Sequence, residues 1–348
     1  MGDLHSLTAA LGAGRNLTPD EVKGAAAALA SDVPPDGVKA EFLSALAKKG
    51  ETSAEIAAFA DAFRALAIDP GVDDWSARAI DIVGTGGDHA GGFNVSSLVA
   101  LVVACAGVPV MKHGNRGITS KCGSADLFAA LGVKLDAPPE RLRTALGALG
   151  YAFYFAPFWH PAFKRIAPVR KMLAVRGERT VFNILGPLLN PGRPAHILLG
   201  AASPALVEKL ADALEALGIG AGLAVHGVIG PGRGIDELTS VTLNIVRGAG
   251  RLRAIRSEWT PESFGLAASP FSDIAGGDIE ANLATAGALA GGGGPRGLAD
   301  TIALNSAVAL WIAGARPDVR GSIGETRDIL LGGAVRQKIA DTRDFYEN

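Results

Sequence analysis

The feature that most constrains the fold begins at Ile80. Ile80-Asp81-Ile82-Val83 is a short β-branched run that empties into Gly84-Thr85-Gly86-Gly87-Asp88. Gly91-Gly92 extends this loop, Phe93-Asn94-Val95-Ser96-Ser97 adds hydroxyls, and a helix-like apolar run starts at Leu98. Strand, glycine loop and helix start, in that order, form one unit of an α/β sheet, since the helix must cross over and cover the sheet. The same order makes an anion cradle: glycines let backbone N–H groups approach, and helix N-terminal amides point at the ligand. It is not a dinucleotide fingerprint, because the order is G-x-G-G-D with no acidic residue about twenty positions on at a strand end. It is not a Walker loop either, since no Gly-Lys-Ser/Thr follows.

Alternation of short strands and helices continues downstream. Strands are expected at 80–83, 108–111, 197–201, 222–226 and 241–246, with helices near 97–106, 124–131, 139–149, 204–217 and 299–314. The pattern predicts an α/β class chain, with a mostly parallel central sheet flanked by helices and ligands outside the strand C-terminal ends. Upstream, residues 4–68 carry only helix signals. Thr18-Pro19-Asp20-Glu21 caps an Ala-rich run to Ala30, and Pro34-Pro35-Asp36-Gly37 breaks it. Val38 to Ala47 is a second helix closed by Lys48-Lys49-Gly50, and Thr52-Ser53-Ala54-Glu55 caps a third running to Leu66. Residues 160–191 interrupt the alternation with a basic helix-like run and a turn-rich loop. The expected division is a small N-terminal helical domain, 1–72 with roughly 160–190, and a larger α/β domain, 73–159 with 191–348.

A chain of 348 residues can hold one large or two ordinary domains. Its net charge of −2 gives no global cationic field for nucleic acid or anionic lipid. Cys105 and Cys122 cannot build a disulfide framework, and no Cys/His spacing suggests zinc. Cys105 reads as core, and Cys122 has no base partner in sequence that would make it a nucleophile. The longest uncharged stretch, Asn94 to Met111, contains Asn, two Ser and Pro and does not make a membrane span. The opening Met-Gly-Asp-Leu-His has neither a signal peptide's make-up nor a convincing myristoylation context. A soluble cytoplasmic enzyme is the expectation.

Against that near-neutral background, Lys112-His113-Gly114-Asn115-Arg116-Gly117-Ile118-Thr119-Ser120-Lys121-Cys122-Gly123-Ser124-Ala125-Asp126 gathers cations, hydroxyls and glycines after the apolar run ending at Met111. These properties describe a second phosphate-type loop. Asp236-Glu237 follows a Gly- and Pro-rich loop, and hard carboxylate oxygens beside phosphate loops suit Mg²⁺. A third group is His160-Pro161 with Val169-Arg170-Lys171, where the Arg170 guanidinium fork could take a carboxylate, followed by the Pro-stiffened loop Phe182 to Pro191. No Ser-His-Asp order, HExxH or CxxC is present.

In that order, Gly84 to Asp88, Asn94 to Ser97, Lys112 to Asp126, His160-Pro161, Pro168 to Arg170, Phe182 to Pro191 and Asp236-Glu237 resemble the motifs of the anthranilate phosphoribosyltransferase family over nearly the whole chain. The resemblance implies a homodimer that transfers ribose 5-phosphate from phosphoribosyl pyrophosphate to the amine of anthranilate, in tryptophan biosynthesis. It implies that Gly84, Gly87, Asp88, Asn94, Val95, Ser96, Ser97, Lys112, His113, Gly114, Asn115, Arg116, Gly117, Ile118, Thr119 and Ser120 hold the donor. Ser96, Asp236 and Glu237 would ligate Mg²⁺. Gly84, His113, Asn115, His160, Arg170 and Pro187 would line the anthranilate site. No acid–base residue is implied, because a neutral arylamine already carries its lone pair; Lys112, Asp236 and Glu237 act electrostatically.

The chain departs from the family pattern at several points. Gly92 stands where the family usually has Thr, Gly117 and Cys122 replace residues that are more often Ser or Ala and Ser, and Trp159 replaces a common histidine. Arg176-Gly177-Glu178 reads as an insertion, and Val228 to Arg233 lengthens the loop before Asp236. Two rival readings share parts of this pattern. A pyrimidine-nucleoside phosphorylase has a related Lys-His-Gly loop, but Asn115 and Asp236-Glu237 argue against it. A nucleic-acid-binding paralogue without the activity should carry a basic groove, and the net charge argues against that.

Overall fold

The computed structural model describes residues 3–117 and 121–348. Helices α1 (Leu4–Gly12), α2 (Pro19–Ala30), α3 (Asp36–Lys49) and α4 (Ser53–Ala65) form the first layer, followed by the short α5 (Asp73–Ser76). The two expected start signals are capping boxes. Thr18 accepts from the Glu21 N–H while Glu21 reaches back to the Thr18 N–H, and Thr52 and Glu55 do the same for α4. Glu55 does more than cap. Its buried carboxylate also accepts from the Leu17 N–H at 2.9 Å and from Lys49 Nζ at 2.7 Å, so one group ties three helix ends together.

The sheet begins with β1 (Ile80–Gly84), and α6 (Val95–Cys105) crosses over to β2 (Val110–Gly114). Helices α7 (Ser124–Ala130) and α8 (Pro139–Leu149) lead to β3 (Tyr151–Phe155), a strand absent from the expected set. Its aromatic run follows Gly150, whose left-handed backbone (φ +76°) ends α8 and turns the chain straight into the sheet. After α9 (Ala156–Trp159), α10 (Phe163–Val175) and α11 (Phe182–Leu185), β4 (His196–Gly200), α12 (Pro204–Ala216) and β5 (Ala221–Gly230) complete the parallel part. Then come β6 (Arg233–Ile235), β7 (Asn244–Gly250), β8 (Arg256–Trp259) and helices α13 (Ile279–Ala290), α14 (Arg296–Ile312), α15 (Ile323–Leu331) and α16 (Ala334–Glu347).

The sheet order is β3-β2-β1-β4-β5-β7-β8, with β6 folded back on β5. The first five strands are parallel and the last pairings antiparallel. The strand expected at 241–246 starts three residues later, because Thr239, Ser240 and Val241 are held in a buried turn by Asn244 and Thr301. The strand expected at 108–111 runs instead through Lys112 and His113, so both lie on the sheet and not in a loop.

Two apolar cores lie on opposite faces of this sheet. One packs α6, α7, α8, α13 and α14 against Ile80, Ile82, Val110 and Met111. The other packs α1–α4, α10 and α12 against Val83, Ile197, Leu199 and Ala224. Alternation along β1 sends successive side chains to the two cores. Helix α10 rests on α2 and α3. No helix among the described residues is long and apolar enough to cross a membrane.

Candidate active site

Three parallel strands end in glycine at the same edge: Gly84, Gly114 and Gly200. Space dictates this. A Cβ on Gly84 would sit 2.2 Å from Asp236 Oδ2, one on Gly114 2.3 Å from Ser124 Oγ, and one on Gly200 1.6 Å from the Asp236 carbonyl oxygen. The strand ends therefore form a floor without side chains, over which the loops close. In the loop after β1, Gly86 and Gly87 adopt φ of +68° and +76°, open to glycine at no steric cost.

The acidic pair enters this edge from β6. Asp236 Oδ2 accepts from the Gly86 N–H at 2.7 Å, and the Asp236 N–H donates to Asp88 Oδ2 at 3.2 Å. Glu237 Oε1 accepts from the Ser96 N–H in the first turn of α6 at 3.1 Å. Burial, then the neighbouring Asp88 and Glu237, push the Asp236 carboxyl well above its ordinary range. Burial raises Glu237 to about 7, although the Ser96 N–H and the Lys112 ammonium oppose it. Lys112 is fully buried and its ammonium is shifted down by burial, with Asp81, Glu237 and Asp236 opposing. Three carboxylates thus share one pocket with one ammonium.

That charge excess fits a divalent cation. No cluster of three His, Cys, Asp or Glu among the described residues forms a ready-made cage. Mg²⁺ needs none, since it is commonly held by one or two carboxylates, waters and substrate phosphates.

The remaining donor candidates are less uniform. Ser97 is buried at the start of α6 with its hydroxyl unpartnered. Val95 is core. Asn94 spends its side chain on structure, donating to the Cys122 carbonyl at 3.0 Å and accepting from Asn282 at 2.9 Å. Asn115 Oδ1 accepts from the Arg116 N–H, and the Arg116 guanidinium pairs with Asp126 at 2.9 Å. Asp126 also accepts from the Gly117 and Gly123 amides, so here Arg116 serves its own loop. Ile118, Thr119 and Ser120 lie outside the described residues.

Beside the carboxylates, the rings of His113 and His160 meet edge to face, 5.2 Å between centroids. Each has a buried Nε2 with no hydrogen-bond partner. Burial holds His113 well below its usual range, helped by His160 and Lys112, and brings His160 to about 4. Both rings are neutral near pH 7. His160 stacks on Phe163, which joins Phe63 and Phe182 in an aromatic wall. The Arg170 guanidinium lies over Phe182, 5.7 Å from the ring centroid, half-buried and without a hydrogen bond or ion pair among the described residues. Pro187 is buried in the 3-10 turn that follows α11. Sequence reasoning missed Arg64, in the last turn of α4, whose Nε donates to the Leu188 carbonyl at 2.6 Å. A basic residue in the last turn of a helix reads as an ordinary helix-end cation and gave no signal.

The fold has close counterparts. Residues 76–335 match the model of the glycosyl transferase family a/b domain, and residues 5–67 that of its helical bundle domain. An anthranilate phosphoribosyltransferase of a Synechococcus strain is 39% identical over 313 residues, 89% of this chain and 88% of that one. The crystal structure of the Thermus thermophilus anthranilate phosphoribosyltransferase superposes with a TM-score of 0.89 at 39% identity, covering 98% of this chain and 99% of the other. The chain belongs to the anthranilate phosphoribosyltransferase family. The Saccharomyces cerevisiae enzyme, in complex with phosphoribosyl pyrophosphate and Mg, matches at a TM-score of 0.84 and 25% identity over 99% of this chain and 98% of the other. These relatives carry the transferase name, which weighs against the phosphorylase and nucleic-acid readings.

Within the anthranilate phosphoribosyltransferase family, several departures of this chain find local explanations. Gly92 pairs with Ala275, and a Cβ there would come 2.5 Å from Ile235 Cδ1. Trp159 is wholly buried against Tyr154 and Phe158. The 176–178 insertion closes α10: Glu178 accepts from the Ser44 hydroxyl, and Arg176 lines a cavity of about 690 Å³ between α1 and α3, not the aromatic wall. Val228 to Arg233 forms the β5–β6 hairpin, which roofs a cavity of about 350 Å³ beside Asp88.

Proposed function

We propose that the protein is an anthranilate phosphoribosyltransferase, moving the 5-phosphoribosyl group of phosphoribosyl pyrophosphate onto the anthranilate amine and releasing pyrophosphate, a step of tryptophan biosynthesis. The observation that carries this reading is the convergence at the strand ends. There Gly86 and Asp236, 150 positions apart, are hydrogen-bonded, with Ser96 and Glu237 joined beside them. The arrangement is built for a highly charged diphosphate.

In this reading Gly84, Gly87, Asp88, Asn94 to Ser97 and Lys112 to Ser120 hold the donor, Asn94 and Val95 by backbone contact alone because their side chains serve the fold. The Gly86, Val95, Ser96 and Ser97 amides are spent within the site, so the Gly87 turn and the unpartnered Ser97 hydroxyl are what the loop and the start of α6 offer the phosphates, and Lys112 supplies positive charge. Ser96, Asp236 and Glu237 would hold Mg²⁺, which when bound neutralises charge on the departing pyrophosphate. Arg170 takes the anthranilate carboxylate, with Gly84, His113, Asn115, His160 and Pro187 shaping the slot around the ring. The neutral histidines suit this, because their unsatisfied nitrogens can hydrogen-bond the acceptor without adding charge. No residue need remove a proton before attack; positioning the amine against the anomeric carbon is the main task. The proposal includes the domain division given above and a homodimer, which light scattering tests.

The decisive assay is loss of anthranilate fluorescence with phosphoribosyl pyrophosphate and Mg²⁺. Purified protein that leaves anthranilate untouched, yet cleaves thymidine with phosphate, would be a phosphorylase.

A further inference from the structure

Strands β1 and β2 part company at the ligand edge. β1 pairs with β4 along its whole length, from Ile80–His196 to Gly84–Gly200, but with β2 only at Ile80–Val110. On β2, the Val110 N–H donates to Gly150 beside β3, while the neighbouring Pro109 carbonyl accepts from Ile80 of β1. By the alternation of a parallel ladder, the Met111 carbonyl and the His113 N–H also face β1. Neither finds a backbone partner there. The Met111 carbonyl accepts instead from Asn190 Nδ2 at 2.7 Å, and the His113 N–H donates to Asp81 Oδ1 at 3.2 Å. The same Asn190 amide donates to Asp81 Oδ2 at 2.8 Å, and its Oδ1 accepts from the Gly192 N–H at 2.9 Å.

We propose that Asp81 and Asn190 form a wedge that replaces the β1–β2 ladder at this edge and acts as a pair of positioning residues for Lys112 and His113. The inference rests on the transferase reading above. Backbone ladders leave no room for side chains between adjacent strands, which lie about 4.8 Å apart. Substituting a carboxylate and an amide for two ladder bonds opens the strands while keeping every β2 group satisfied, as buried backbone requires. Asp81 and Asn190 are fully buried. Their polar atoms are engaged by the His113 and Gly192 amides, the Met111 carbonyl and each other, so their effect passes through the groups they hold.

Two such groups matter. His113 is fixed through its own N–H, which sets the ring that faces His160. Lys112 has no salt bridge within 4 Å among the described residues; its Nζ donates only to the His113 carbonyl at 3.2 Å. Burial lowers this ammonium's pKa, and Asp81 is foremost among the carboxylates that oppose the shift. Arg64 and Tyr154 also feel Asp81. Asn190 belongs to the Phe182–Pro191 segment, which also supplies Pro187 and the Phe182 ring under Arg170. One hydrogen bond thus joins the strand that launches the donor loop to the segment that walls the acceptor.

The experiment compares Asp81→Asn, Asn190→Asp and the swap carrying both. Asp81→Asn sets an amide against the Asn190 amide and removes the counter-charge of Lys112. It should lower kcat by about 10–100-fold and weaken calorimetric binding of phosphoribosyl pyrophosphate about tenfold. Asn190→Asp faces carboxylate with carboxylate and should be equally damaging. The swap restores the donor–acceptor pair between positions 81 and 190 and the negative charge, but turns a carboxylate oxygen toward the Met111 carbonyl that the Asn190 amide serves, so it should recover only about threefold to tenfold of the lost kcat. Should either single variant fail to fold, Asn190→Ser keeps the charge, loses the bridge and carries the same expectation. A merely structural pair would lower the unfolding temperature but leave kcat per folded molecule and donor affinity at wild-type values, with no gain from the swap. That result overturns the inference alone. A wild-type protein that neither binds the donor nor consumes anthranilate overturns the transferase reading, and the inference with it.

Discussion

Arg170 offers the sharpest test of how the two substrates are divided. Its guanidinium is half-buried over Phe182 and makes no ion pair or hydrogen bond among the described residues. Burial lowers its pKa, yet arginine stays protonated at any working pH. A cation held partly out of water with only the Phe182 ring beneath it adds little net stability, so Arg170→Gln should leave the unfolding temperature within about 2 °C of wild type. Binding is another matter. A bidentate, charge-assisted pair with the acceptor carboxylate is worth about 1.5–3 kcal/mol, which at 1.4 kcal/mol per tenfold is roughly 10–150-fold. Arg170→Gln should raise the anthranilate KM by that factor and move the donor KM by less than about twofold. Arg176 cannot stand in, because it lines the cavity between α1 and α3. Steady-state kinetics with each substrate varied in turn reads both constants. An effect confined to the donor KM would show that the two pockets are reversed, and an unchanged anthranilate KM would remove Arg170 from the site.

Three further outcomes are expected. Asp236→Asn with Glu237→Gln should cut turnover by at least about 100-fold and abolish its Mg²⁺ dependence; a wild-type rate and the same Mg²⁺ titration would reduce the pair to a buried turn. Gly200→Ala drives a Cβ to 1.6 Å from the Asp236 carbonyl oxygen and should displace the acidic pair by about an ångström, lowering kcat about 100-fold, whereas Gly287→Ala, with nothing within 4 Å, should keep wild-type kcat. His160 titrates near 4 when folded and near 6.5 when unfolded. The unfolded chain therefore binds more protons between those values, and the stability His160 contributes is complete above about pH 6.5 and lost as pH falls toward 4. Urea unfolding at pH 7.5 and 4.5 should show wild type losing roughly 2–3 kcal/mol more than His160→Asn, and parallel losses would count against the buried neutral ring.

How far the sequence could be read depended on whether the governing interaction was local. The capping boxes at Thr18 and Thr52 and the glycine loop after Ile80 were legible because each is decided within five residues. β3 was not, since an aromatic run after a glycine suits either a strand or a buried helix until a partner strand selects it. Lys112 and His113 were expected in a loop because charged residues rarely lie inside a strand. Here the charge is tolerated through Asp81, 31 positions earlier, which no window could pair with it. Asp81 itself looked like a lone polar residue in a strand, and Asn190 like part of a turn. Their bond spans 109 positions. Arg116 was expected to hold the donor, and only the folded loop brings Asp126 to it.

The glycine floor has a consequence for inhibition. Resistance usually arises when a target exchanges a side chain that an inhibitor touches for one it does not. At Gly84, Gly114 and Gly200 there is no side chain to exchange, and each replacement drives a new atom to between 1.6 and 2.3 Å from the acidic loop or Ser124. A compound resting on these three strand ends would confront a surface whose mutational alphabet has one letter. One gripping Arg170 or the hairpin at Val228 would leave the enzyme ways to escape.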